Sequence, residues 1–384
     1  MQSARHIVIV AGEESGDMHA ASFIKELKRT CPNIRITGIG GRHMQEAGTE
    51  LVSDLARFGV TGLSEVIKHF RTIKRAFKDM QAHLKACKPD LLVLVDYPGF
   101  NLRLARYAKR VLNIRVLYYI SPQIWAWKAN RIHTIRSYVD RMAVIFPFEK
   151  YLYQKAGVPV SYVGHPLVEQ VKNYAASETI YSELQLPANK RLIAMLPGSR
   201  THEIEQHMPI LIQSAEQLSK RFQDIHFVLP VAGTINPDII HRYTSKSKAP
   251  ITLLFGNALA AVAASRCVVV ASGTASLECA LLNKPMCIIY KASLLTYMVA
   301  VKVIQVNYLG LCNLLQNAMI VPELLQYDCN ATELTKVIER LLNDSEYSEK
   351  MSARLAKVKQ SLSLEEADCS ISDLIKNELG FDKT

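Results

Sequence analysis

HIVIVAGEESGD, residues His6 to Asp17, reads as a buried strand that runs into a tight turn and then a helix, the opening of a nucleotide-binding βαβ unit. A turn of this kind ordinarily holds phosphate on backbone N–H groups at a helix start. Here it carries Glu13, Glu14 and Asp17, three acidic side chains that would repel a phosphate placed among them. The strand-turn-helix pattern sets the fold class, and the acids assign the turn a different task.

Further along, β-rich runs at 35–39, 91–96, 115–120 and 141–146 alternate with helical patterns. Such alternation predicts a parallel sheet covered on both faces. After VGHPL (Val163–Leu167) comes a polar stretch, and the alternation then restarts with runs at 191–196, 225–230, 251–255, 267–271 and 286–290. The expected fold class is α/β: two Rossmann-like domains, 1–167 and 168–344, with a helical segment over 345–384 that packs back on either. Two such units predict a central cleft, with ligands at the carboxyl ends of the strands.

Composition agrees with this plan. The 384 residues, about half of them apolar, suffice for two ordinary cores. No run approaches the roughly 20 apolar residues of a membrane span, and the apolar start lacks a small-residue cleavage site. Eight cysteines without C-x-x-C spacing read as buried hydrophobes in a reducing compartment. The net charge of +11 points to an anionic partner: nucleic acid, phosphorylated metabolite or membrane surface.

The loops of the second unit have the chemistry that the first turn lacks. In AMLPGSRTHEIEQ a strand ends in Pro197-Gly198-Ser199-Arg200, which brings backbone N–H groups, a hydroxyl and a guanidinium to a strand's carboxyl end. In VVVASGTASLECALLNKP, Ser272, Gly273 and Thr274 stand at a helix start that favours an anion, and Glu278 lies one turn in, placed to accept from sugar hydroxyls. Together they describe a nucleoside-diphosphate site. The acidic turn of the first unit then faces the phosphates instead of holding them, and Glu13, Asp17 or Asp96, at the end of LLVLVD, can take a proton from an incoming hydroxyl.

AGEESGDMHAA, YYISPQIWAWKANRI, FPFEKYLYQKAGVPVSYVGHPL, LPGSRTHEIEQ and ASGTASLECALLNKPM resemble, in order and spacing, the lipid-A-disaccharide synthases, from about residue 5 to about 325. The resemblance implies a GT-B fold and an inverting transfer of diacylglucosamine from UDP to diacylglucosamine 1-phosphate, with no cofactor. It assigns Gly12, Glu13, Ser15, Gly16 and Asp17 to the acidic loop, Arg200 to the donor phosphates, and Gly273, Thr274 and Glu278 to the UDP end, with Gly198, Ser199 and Ser272 joining them from the loop reading above. Asn101, Ser121 and Trp125 fall on the acceptor side. One departure stands out: where the family segment often reads D-x-P-D-F-N, this chain has DYPGFN, with Gly99 in place of the second acid. The base is then Asp96 or Glu13.

Other features invite sharper readings. HEIEQH mimics a zinc motif, but its histidines, His202 and His207, are five apart and do not share a helix face. No two aspartates are separated by a single residue, so the usual acidic pair for a metal-bound sugar nucleotide is missing and a metal-independent transferase fits. Trp125 and Trp127 are either core or a wall for an acyl chain or sugar. Over 64–85, Ile67, Phe70, Ile73, Phe77, Met80 and Leu84 form an apolar stripe. Lys68, Arg71, Lys74, Arg75 and Lys78 occupy the other faces, as on a domain helix or on an interfacial helix that docks on anionic headgroups. Acylated substrates favour peripheral association with the cytoplasmic face of the inner membrane, and the apolar segment 294–306 is a second candidate contact. No nucleic-acid module is recognisable, so nucleic acid is not expected as a partner.

Overall fold

β1 (His6–Ala11), after its opening histidine, and β4 (Leu91–Val95) are apolar throughout because helices cover both faces of their sheet: from Ile7 to Ala11 and from Leu91 to Val95 every residue is fully buried. A computed structural model describes residues 5–55, 70–126, 128–172, 174, 178–292 and 306–381. The first unit runs β1, α1 (Glu14–Thr30), β2 (Arg35–Gly40), α2 (Arg42–Glu46), β3 (Glu50–Asp54), α3 (Phe70–Cys87), β4, α4 (Pro98–Leu112), β5 (Val116–Tyr119), α5 (Arg131–Tyr138), β6 (Arg141–Val144), α6 (Pro147–Lys155) and β7 (Val160–Tyr162). Its strands lie in the order β3-β2-β1-β4-β5-β6-β7, all parallel.

α7 (Pro166–Val171) and α8 (Glu178–Glu183) lead into the second unit. It continues with β8 (Arg191–Leu196), α9 (Thr201–Arg221), β9 (Ile225–Val231), α10 (Pro237–Thr244), β10 (Ile251–Phe255), α11 (Ala258–Ala264), β11 (Cys267–Ala271), α12 (Thr274–Leu281), β12 (Met286–Tyr290), α13 (Leu311–Gln316), β13 (Glu323–Leu325), α14 (Ala331–Asn343) and α15 (Ser345–Ser361). The sheet order β10-β9-β8-β11-β12-β13 is again parallel throughout.

By internal contacts the chain divides into Met1–Pro166 with Leu362–Thr384, and Leu167–Ser361. The carboxyl-terminal residues are therefore split. α15 stays with the second unit, where Met351 is buried and its sulfur accepts from the Met286 N–H. α16 (Ile371–Glu378) packs on α1 in the first, where Glu378, nearly buried, pairs with Arg115 at 2.6 Å and Arg141 at 3.2 Å. Asp368 accepts from the Tyr162 N–H at 2.9 Å and pairs with Lys150. A buried carboxylate flanked by two guanidiniums fixes where the tail returns, because breaking such a pair strands a charge.

Each sheet changes direction once, between β1 and β4 in the first and between β8 and β11 in the second. At such a switch point the loops leaving two neighbouring strands diverge and leave room for a ligand at their carboxyl ends. Ala11 is in register with Val95, so Gly12 and Asp96 emerge side by side, and Leu196 is in register with Val270, so the 197–200 and 272–274 turns do the same.

Candidate active site

At the first switch point Gly12 has no side chain because the Tyr97 ring fills the space: a Cβ there would lie 2.2 Å from Tyr97 Cδ1. Asp96 and Tyr97 both adopt left-handed backbone, φ 46° and 47°. For residues with a side chain such backbone costs on the order of 1–2 kcal/mol each. Asn101 offsets that cost, its fully buried Nδ2 donating to the carbonyls of Val95 (3.1 Å) and Asp96 (2.7 Å), while Tyr118 Oη donates to Asp96 O at 2.6 Å. Asn101 is thus a strut beneath the turn. The turn leaves Asp96 partly exposed in low-dielectric surroundings, which raise its pKa to about 6 against smaller lowerings by the Tyr97 N–H and by Arg131. The charges of Asp96 and Glu13 both act on the Tyr118 hydroxyl, which puts the two carboxylates in one neighbourhood.

Asp17 is placed differently from the catalytic position expected for it. Its carboxylate is 1% exposed and accepts the N–H groups of Gly41 (2.7 Å), His43 (2.9 Å) and Met44 (3.1 Å). It caps α2, so its lone pairs are spent on the scaffold. Gly16 is buried against Val95 and Ala11, whereas Ser15 is exposed on the first turn of α1.

Ser121 and Trp125 are gathered by a residue that sequence reading passed over. Glu149, at the start of α6, accepts from Trp125 Nε1 at 3.1 Å and from the Phe146 N–H at 3.3 Å. Ser121 hydrogen-bonds Tyr153 Oη at 2.8 Å, and Trp125 stands edge-on to Phe148. Trp125 is therefore anchored by its indole nitrogen; Trp127 lies outside the described residues. Burial pushes Glu149 up to about 8 from 4.5, so between those pH values the folded chain holds a proton that the unfolded chain has lost. Stability falls with rising pH in that window, by at most about 1.4 kcal/mol per unit. His19 and His165, depressed by burial to about 4 and about 3, act the other way below 6.5. Glu149→Gln removes the first term alone: the stability difference, variant minus wild type, should rise steadily from pH 5 to 8 in urea titrations. A flat difference would show that Glu149 is ionised in the fold.

At the second switch point the Pro197–Arg200 turn differs from the expected cradle. Glu203, one turn into α9 and nearly buried, accepts the N–H groups of Ser199 (2.9 Å) and Arg200 (3.2 Å), and pairs with Arg200 Nη1 at 3.0 Å. Gly198, at φ 121°, is held close enough that a Cβ would lie 2.4 Å from Glu203 Oε2. The Ser199 and Arg200 N–H groups are thus engaged, and the side chain that the turn offers an anion is the half-exposed Arg200 guanidinium. Beside it, Gly273 at φ 145° precedes α12 with no capping side chain, and Gly273 and Thr274 are exposed. Ser272 Oγ donates to Leu309 O at 3.3 Å. Burial raises the pKa of the partly buried Glu278, and among the described residues no hydrogen bond or ion pair engages its carboxylate.

An apolar pocket of about 360 Å³ lies beside Gly99, lined by Phe70, Ile73, Phe77, Tyr97 and Phe100, with Lys74 and Arg103 among its walls. The stripe of α3 serves two ends: Met80 and Leu84 are core, whereas Ile73 and Phe77 are half-buried at the pocket and Phe70 is exposed. Arg71, Lys74, Arg75 and Lys78 are exposed; Lys68 and residues 294–305 lie outside the described residues.

The lipid-A-disaccharide synthetase family model matches residues 7–377. Lipid-A-disaccharide synthase 1 of Legionella pneumophila subsp. pneumophila is 55% identical over 379 residues, 99% of each chain. The chain belongs to the lipid-A-disaccharide synthase family. Among solved structures, the UDP-GlcNAc 2-epimerase of Neisseria meningitidis superposes with a TM-score of 0.66 at 15% identity, covering 98% of this chain and 100% of that one. The calicheamicin glycosyltransferase does so at 0.62 and 14%, covering 99% of each. These likenesses establish the GT-B fold, with its two Rossmann-like units.

Gly99, which stands where the sequence comparison expected a second acid, is exposed, and beyond its own helix and chain neighbours no atom of the described residues lies within 4 Å of where its Cβ would be. The position has room for an acid and none is there. HEIEQH serves as a brace: His207 is fully buried, its Nδ1 donating to Pro197 O at 2.7 Å and its Nε2 accepting from the Lys291 N–H at 3.0 Å, which ties the Arg200 turn to the end of β12. Glu323 and Asn313 brace the other side. Glu323 accepts the N–H groups of Leu309 and Gly310, both at 2.9 Å, and Asn313 Nδ2 donates to it at 2.7 Å. Of these supports only Glu203 had a local signal, its three-residue spacing from the helix cap at Arg200.

Proposed function

We propose that the chain transfers a 2,3-diacylglucosamine unit from UDP to 2,3-diacylglucosamine 1-phosphate, giving the β-1,6-linked lipid A disaccharide 1-phosphate and UDP. The observation that carries this reading is the 55% identity to a lipid-A-disaccharide synthase over 99% of both chains. The likeness to the epimerase, at 15% identity, is one of fold and does not compete with it.

In the reaction Asp96 takes the proton of the acceptor's 6-hydroxyl as that oxygen attacks the anomeric carbon. The bond from that carbon to UDP breaks on the opposite face, the configuration inverts, and the electron pair leaves with the diphosphate. Arg200 and the uncapped N–H groups of α12 offset the departing charge, and Glu278 holds the ribose. This replaces a divalent cation, in keeping with a sequence that has no two aspartates separated by a single residue. The purified chain, with both detergent-dispersed substrates and EDTA, should give the disaccharide by mass spectrometry. No product with or without magnesium would sink the assignment; product only with magnesium would remove the metal-independent step.

The pocket beside Gly99 suits an acyl chain of the acceptor, and the exposed cations of α3 suit the anionic headgroups of the inner membrane's cytoplasmic face. No described helix is long and apolar enough to cross a membrane. Charge reversal of Arg71, Lys74, Arg75 and Lys78 to glutamate should abolish most salt-sensitive sedimentation with anionic vesicles while UDP binding is retained. Undiminished sedimentation would leave these side chains as an ordinary solvated face.

A further inference from the structure

We propose that His6, His83 and Cys87 form a site for a divalent transition metal of the zinc class at the amino-terminal end of the first sheet, the end of β1 opposite Gly12. Among the described residues they are the one group of three metal-ligating side chains whose donor atoms all lie within 4.8 Å of one another. His83 and Cys87 are four apart on α3 and so share a face, and His6 opens β1 beside them.

Two imidazoles and a thiol are the donor set that zinc selects, with bonds of about 2.0–2.1 Å to nitrogen and about 2.3 Å to sulfur. Donors at those distances from one ion stand roughly 3.3–3.8 Å apart in a tetrahedron, so small rotamer adjustments suffice. The two rings already converge. The hydroxyl of Thr37, itself 1% exposed, lies 3.0 Å from His6 Nε2 and 2.7 Å from His83 Nε2, so both ε-nitrogens face one point. That hydroxyl, or a water held by it, would complete the coordination.

Two carboxylates, Glu50 and Asp90, act against the positive charge that Arg35 brings to the histidines. Both nearby guanidiniums are already paired, Arg35 with Glu50 and Arg5 with Asp90, each at 2.9 Å. Asp90 also accepts the His6 N–H at 2.8 Å and so fixes the strand end that presents the ring. Burial, with Arg35, lowers the pKa values of both histidines and keeps them in the neutral form that binds metal. Cys87 is a thiol held above its ordinary pKa by burial, so the metal displaces its proton: the ion and the thiol become a metal thiolate and a released proton. An ion here would pin the carboxyl-terminal turn of α3 to β1, while the other end of the same helix lines the pocket beside Gly99.

The test uses the full chain, stripped by dialysis against a chelator and titrated with cobalt(II). Binding should produce tetrahedral visible bands and a near-ultraviolet thiolate-to-cobalt band, both displaced by stoichiometric zinc. Zinc should also slow alkylation of Cys87, read by peptide mass spectrometry on the unmodified sequence. Cys87→Ser should lose the thiolate band, and it and His83→Gln should each weaken zinc by at least the roughly 10- to 100-fold that even outer-shell changes cost. A hydrogen-bonded His–Thr–His trio with no affinity for metal gives the opposite result: no thiolate band, unprotected Cys87 and unchanged residual zinc binding in both variants. That result would overturn the proposal.

Discussion

Asp96→Asn is expected to lower turnover by roughly 100-fold or more and to leave UDP affinity essentially unchanged. The substitution suits the site, because asparagine is among the few residues that enter left-handed backbone readily, and Asp96 sits at φ 46°. Asn101 and Tyr118 grip the Asp96 carbonyl, which both side chains share, so the turn should keep its shape. What is lost is the proton acceptor. A carboxylate raised to about 6 is half-protonated near pH 6, so the wild-type kcat/KM should rise with pH through about 6 and level above it. In the variant that acidic limb should vanish along with most of the activity. Glu13→Gln is the comparison: it begins the turn instead of ending a strand, and if it alone loses turnover while Asp96→Asn remains active, Glu13 is the base. Loss of UDP affinity in the Asp96 variant would remove the residue from the acceptor role altogether.

What the sequence made legible follows from where the information lies along the chain. Strands buried on both faces must be apolar throughout, so HIVIVA, LLVLV and CVVVA announce themselves locally, and two runs of alternation declare two sheets. The loops leaving the switch points were legible too, because glycine and charge at a strand end have few structural uses. The roles within those loops were not. Asp17 looked like a reactive acid because its three partners are N–H groups 24 to 27 residues away, which no local pattern reveals. Glycine at 12 makes sense only once the ring of Tyr97 is seen lying on it. Glu149 is held as a neutral, hydrogen-bonded acid, and only its burial beside Trp125 separates it from a surface acid of α6. Long-range partners decide which acids hold the scaffold and which remain free to react. A largely buried but still partly exposed Asp96 at a strained strand end is a reactive candidate, whereas a fully buried Asp17 with three donors is a structural one.

Arg200→Ala should weaken UDP by roughly ten- to a hundredfold in calorimetry and slow transfer as well, since a charge-assisted contact to the diphosphate is worth about 1.5–3 kcal/mol in ground and transition states alike. The nearness of Glu203 sharpens this expectation. In the free protein the guanidinium pairs with Glu203 at 3.0 Å, and that carboxylate also holds the Ser199 and Arg200 N–H groups. Alanine therefore removes an attraction and also uncovers a nearly buried negative charge beside the diphosphate. Glu203→Gln keeps an acceptor for the two N–H groups but discards the charge, so in the Arg200→Ala background it should return part of the lost affinity. Glu278→Ala should loosen UDP through the ribose and be additive with Arg200→Ala, because the proposed roles put the two side chains on different parts of the nucleotide. If Arg200→Ala binds UDP normally and Glu203→Gln changes nothing in either background, the diphosphate is not held at the 197–200 turn, and the start of α12 must hold it alone.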